Sequence, residues 1–121
     1  MDDLLAIGDR QYRIRTQHRG DDWLAQAEEA DSGRRFGIEC SGATEDAAAQ
    51  KVARWLEWQR EHAAALEVLQ TAERDYHRTI AGSAFASPTE GVSALEMQKE
   101  SLAQVEAARV RLDEVRARQP Q

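Results

Sequence analysis

The sequence predicts an α+β fold: a three-stranded antiparallel β-meander over residues 1–43, then a long antiparallel two-helix hairpin over residues 44–121, packed on the sheet as one structural unit. Before residue 41, apolar and polar residues alternate with period two in three short stretches. After it, apolar residues recur every three to four positions in Ala-, Glu- and Arg-rich text. Between Thr44 and Gly82 there is neither Gly nor Pro.

The first strand is read from Tyr12, Ile14 and Thr16, the second from Trp23, Ala25 and Ala27, and the third from Phe36, Ile38 and Cys40, each set alternating with polar neighbours. Arg19-Gly20-Asp21-Asp22 and Asp31-Ser32-Gly33 supply the turn residues that reverse the chain. Parity then fixes a register, because a one-residue slip would mix the two faces. Ile14 is expected opposite Ala27, Ala25 opposite Ile38, and Cys40 across from Trp23. The same register sets Arg13 opposite Glu28 and Glu28 opposite Arg35 on the outer face.

Thr44 is placed to cap the first helix, with Glu45 and Asp46 at the positive end of its dipole. A helix from residue 45 to 80 runs roughly 54 Å, whereas a seven-residue strand spans roughly 23 Å, so the helix overhangs the sheet. Its stripe of Leu66, Leu69, Tyr76 and Ile80 then needs cover. Ser87-Pro88-Thr89-Glu90 is a capping box with Pro at the first helical position. It opens a second stripe of Val92, Leu95, Leu102, Val105, Leu112 and Val115. A turn centred near residue 84 would bring Leu102 to Leu66 and Leu112 to Trp55 and Leu56.

A chain of 121 residues with 41% apolar and 31% charged content holds one modest globular domain, which argues against a multidomain enzyme. No stretch approaches the roughly 18 apolar residues of a membrane span, and Met1-Asp2-Asp3 opens with acid where a signal peptide has base. The expectation is a cytoplasmic protein with no membrane contact. A single cysteine agrees with a reducing compartment. Net charge is -6, and the +4 of residues 10–19 is cancelled by acids within residues 20–40, so the strand region as a whole is neutral. Nonspecific nucleic-acid binders instead concentrate net positive charge.

Few residues suggest chemistry. Glu73 and His77 are four apart on one helical face but lack a third ligand at a supporting spacing. His62, with Gln59 and Glu73, falls on the helical stripe, where polar residues fix register or meet a partner. Cys40 reads as a small hydrophobe at the end of the third strand. Phosphate loops, nucleophile elbows and paired catalytic carboxylates are absent from the text. The sequence therefore points to no enzyme, no metal and no cofactor.

Tyr12-Arg13, Gly20, Trp23, Ala25, Gly33, Arg35, Gly37 and Thr44-Glu45-Asp46-Ala47-Ala48 give residues 12–56 a family likeness. The segment resembles the three-stranded-sheet-plus-helix module of plant ethylene-response factors and of phage integrase arm-binding domains. It also resembles antitoxins of the HicB type, through the strand order and Gly42 and Thr44 before the helix, although their Pro-Gly segment is missing. The first resemblance implies that the outer face of the sheet lies in the DNA major groove through Arg13, Arg15 and Arg35. Leu24, Gln26, Glu28 and Glu39 share that face, and its carboxylates depart from the pattern.

The functional expectation is a noncatalytic protein-interaction and oligomerisation protein built on a coiled-coil-like hairpin. It would form a homodimer or higher oligomer and engage another protein as a further partner. Trp58, Val68 and Met97, off the main stripes, are the expected oligomer interface. The alternative is a DNA-binding regulatory module that reads through Arg13, Arg15 and Arg35.

Overall fold

The computed structural model describes residues 4–83 and 91–120. The capping box at Ser87 to Glu90, the connection up to Ala86, Met1 to Asp3 and the side chain of Val92 lie outside the described residues. The class is α+β: β1 (Leu4–Ile7), β2 (Arg10–Arg19), β3 (Asp22–Glu29) and β4 (Arg35–Gly42), then α1 (Glu45–Ser83) and α2 (Gly91–Ala117). The chain forms two compact units, Met1–Arg60 with Gln119–Gln121, and Glu61–Arg118.

In the first unit the sheet is antiparallel in the order β1-β2-β3-β4, so the meander has four strands rather than three. The additional strand pairs Leu5 with Tyr12 and Ile7 with Arg10 across the two-residue turn Gly8-Asp9. Ile7 is buried and Leu5 half-buried, which gives Tyr12 apolar cover on its outer flank.

The β2–β3 register sets Ile14 against Ala27 and Arg13 against Glu28, as the alternation requires. Between β3 and β4 the expected register holds only as far as Ala27 and Phe36, and then shifts by two residues. Cys40 therefore opposes Ala25, Trp23 opposes Gly42, and Ile38 is 46% exposed rather than inward. The cause is local. Gly37 takes φ +82°, a conformation L side chains avoid, and lets the strand bulge. Gln26 Nε2 donates to Gly37 O at 3.0 Å and secures the bulge.

Alanines at the inward positions of the central strand, Ala25 and Ala27, let larger neighbours close over them. Tyr12 stacks on Phe36 at 5.2 Å between ring centres, and Trp55 meets Phe36 edge-on at 6.1 Å. Ala48, Val52 and Leu56 of α1 complete the core. α1 starts where expected: Thr44 Oγ1 accepts from the Ala47 amide at 3.1 Å. The end of β4 lies close to this first turn, since a side chain at Gly42 would meet the Ala48 nitrogen at 2.6 Å. α1 runs without a break to Ser83.

In the second unit, Arg118 pairs with Glu61 at 3.3 Å, Arg116 Nε donates to His62 Nε2 at 3.4 Å, and Thr79 and Ser101 share a hydroxyl hydrogen bond at 3.3 Å. Partner numbers fall as the others rise, so the helices are antiparallel here. The sequence midpoint of each pair is residue 89 or 90, not 84. Leu102 is thus level with His77 rather than Leu66, and Leu112 level with Glu67. The helices also bury smaller residues than the stripes suggest: Ala65, Leu69, Ala72, Val105, Ala108, Leu112 and Val115 are inside. Leu102 (40%) and Leu95 (59%) are exposed, since at 100° per residue they fall to one side of the line through Val105, Leu112 and Val115, and Ile80 is 40% exposed although only about 20° round from buried Leu69.

Candidate functional site

Each unit carries one surface on which the expected site residues can be placed. On the outer face of the sheet, β3 presents Glu28 between Arg13 of β2 and Arg35 of β4 in direct cross-strand register. Arg15 reaches the same carboxylate diagonally, with Nε 3.0 Å from Glu28 Oε2. Two arginines of β2 and one of β4 thus neighbour one acid of β3. Beside them Arg15, Gln17, Gln26, Arg35 and Glu39 line a shallow concavity of about 380 Å³. The Arg15 guanidinium is half exposed, and an exposed pair of this kind stabilises the fold by about 0–1 kcal/mol.

Facing the core instead, Cys40 is partly buried, and that burial raises its thiol pKa, partly offset by the Lys51 ammonium. Lys51 Nζ is itself held by the Ser41 carbonyl at 2.7 Å. A raised pKa leaves less thiolate at neutral pH, which is opposite to what a nucleophile requires. Among the described residues, no three His, Cys, Asp or Glu side chains gather as a metal-binding group.

In the second unit a groove of about 690 Å³ runs between the helices. It is lined by Ala64, Glu67, Val68, Thr71, Ala72 and Asp75 on α1 and by Gln104, Ala107, Ala108 and Arg111 on α2. No family model, curated protein or solved structure matches this chain. The geometry of these surfaces is therefore what bears on function.

Of the expected interface residues, Val68 lines the groove and is 58% exposed. Met97, also 58% exposed, lies seven residues before Gln104 and so on the same side of α2. By the helix pairing it is level with Gly82, roughly 20 Å along the axis from Val68. Trp58 belongs to the first unit, is half-buried, and falls seven residues before Ala65. The sequence reading missed the groove itself, whose signal is the spacing of small residues at Ala64, Ala72, Ala107 and Ala108. It also missed the open side chains of Leu95, Leu102 and Val110. Among the described residues, no helix is long and apolar enough to cross a membrane.

Proposed function

We propose that this is a noncatalytic interaction protein that self-associates through its helical unit, as a homodimer or higher oligomer, and engages another protein as a further partner. The observation that supports this reading is the split between buried and open apolar residues in the second unit. Its interior is largely alanine and valine, while Val68, Ile80, Leu95, Met97, Leu102 and Val110 remain 40–59% exposed. Isolated surface apolars are ordinary, but this density on two helices favours association. Full burial of each such side chain is worth up to roughly 1.5–3 kcal/mol. Light scattering at two salt concentrations tests it. The expected mass is at least twice the 13.6 kDa of one chain at both, because the driving force is apolar. A 13.6 kDa species at high concentration would overturn the reading.

A second reading, DNA binding through the sheet, is favoured by the convergence of Arg13, Arg15 and Arg35 and by the resemblance of residues 12–56 to DNA-binding sheet modules. Glu28 at the centre of that cluster and Glu39 at its rim weigh against it, since both repel phosphate. Fluorescence anisotropy with duplex DNA at low and physiological salt separates the readings. Affinity falling with a log–log slope of about -0.9 per phosphate contact would support DNA binding.

A further inference from the structure

The groove of the helical unit is built so that its two walls complement one another by height. Cross-helix pairing places Glu67 level with Arg111 and its neighbour, and Asp75 level with Gln104. Glu67 and Asp75 line the groove from α1, and Arg111 and Gln104 line it from α2. Among the described residues Arg111 approaches Glu114 at 3.8 Å and Asp75 approaches Arg78 at 4.0 Å, with all four side chains at least half exposed.

We propose that a second copy of this chain occupies the groove face, related by a twofold axis parallel to the helices, so that each α1 lies on the α2 of its partner. This inference rests on the self-association reading and specifies its geometry. Such an axis exchanges the walls without changing height. Glu67 of one copy then meets Arg111 of the other, and the Asp75 carboxylate accepts from the Gln104 amide, twice each by symmetry. Every neighbouring pair of helices is antiparallel, as in an up-and-down four-helix bundle. Gln104, Ala107, Ala108 and Arg111 have the i, i+3, i+4, i+7 spacing of a knob-accepting hole, with two alanines where the incoming side chain goes. Thr71 is the α1 residue level with that hole, and Val68 flanks it. A twofold axis across the helices at the level of Thr71 would instead lay α1 on α1 and set Glu67 against Asp75, acid on acid. Charge complementarity therefore selects the first arrangement.

The test uses the full chain with Cys40→Ser, which removes its one thiol. Thr71→Cys and Ala107→Cys are made separately in that background, one of them carrying a tag so that mixed pairs run at their own size. Both positions are exposed. Mixed and oxidised, the two proteins should form the mixed disulfide at least about tenfold faster than either forms a disulfide with itself, because only the mixed pair brings α-carbons within bonding range. Thr71→Cys pairing with itself, with no mixed product, would overturn the arrangement while leaving self-association standing. A dimer by sedimentation that gives neither product, and that Leu102→Glu dissociates while Val68→Glu does not, would place the interface on the opposite side of the helices and also overturn it. A monomer at all concentrations would remove this arrangement together with the reading beneath it.

Discussion

The backbone of Gly37 lies against the indole of Trp55: a β-carbon built on Gly37 would overlap Trp55 Cζ3. A strand bulge and a helix side chain thereby share one space. Gly37 supplies the positive φ that shifts the β3–β4 register, and the missing side chain lets Trp55 close over Phe36.

Gly37→Ala is therefore expected to destabilise the first unit by at least about 1–3 kcal/mol, the usual cost of a strained backbone conformation, with steric conflict in addition. Trp55→Leu in the same chain should recover the steric part and leave the backbone part. Urea denaturation of the two single variants and the double variant checks this. Strict additivity would show that the two residues do not share the space.

Much of this architecture is legible in the text, and the departures have identifiable physical causes. The pairing of Ile14 with Ala27 follows from alternation, because a slip would expose the inner face. The bulge does not, because a two-residue shift preserves parity, and Phe36, Ile38 and Cys40 read as one regular strand. Leu4-Leu5-Ala6-Ile7 is a short apolar run without alternation, so only the Gly8-Asp9 turn marked it as half of a hairpin. The Thr44 cap was legible because one hydroxyl and one amide define it. Helix pairing was not, because periodicity gives the buried side of each helix but not its displacement along the other. At the candidate surfaces, Arg13, Arg15 and Arg35 were identifiable by parity. That Arg15 reaches Glu28 at 3.0 Å from a diagonal position depends on side-chain length, which alternation does not show.

Cys40 should react slowly. Its thiol pKa is raised in the folded chain, chiefly by burial, so at pH 7–8 the folded protein holds less thiolate than the unfolded one. Alkylation by iodoacetamide in this range is expected to be slower in buffer than in urea, with the native pH–rate curve displaced to higher pH. Faster alkylation of the native chain would contradict the placement of Cys40 against Ala25 on the covered face.

Charge reversal on the outer face should change little. In Arg13→Glu, Arg15→Glu the 3.0 Å pair with Glu28 is lost, worth about 0–1 kcal/mol for an exposed contact, and the acid set opposite Glu28 adds a repulsion of roughly 0.2–1 kcal/mol. Circular dichroism and sedimentation should match the parent, and the parent should not bind duplex DNA at physiological salt. Micromolar binding by the parent, abolished in the variant, would instead favour the DNA-binding reading.

Self-association through the helical unit is tested most directly by sedimentation velocity on the parent and on Val68→Glu across a wide concentration range, with helicity followed in parallel. Val68 is 58% exposed in the single chain, so the carboxylate should cost little within one molecule and much at an apolar interface. The expected parent species has at least twice the 13.6 kDa mass of one chain, and the expected Val68→Glu species is a single chain of 13.6 kDa with unchanged helicity. A parent that remains at 13.6 kDa at the highest concentration would contradict self-association.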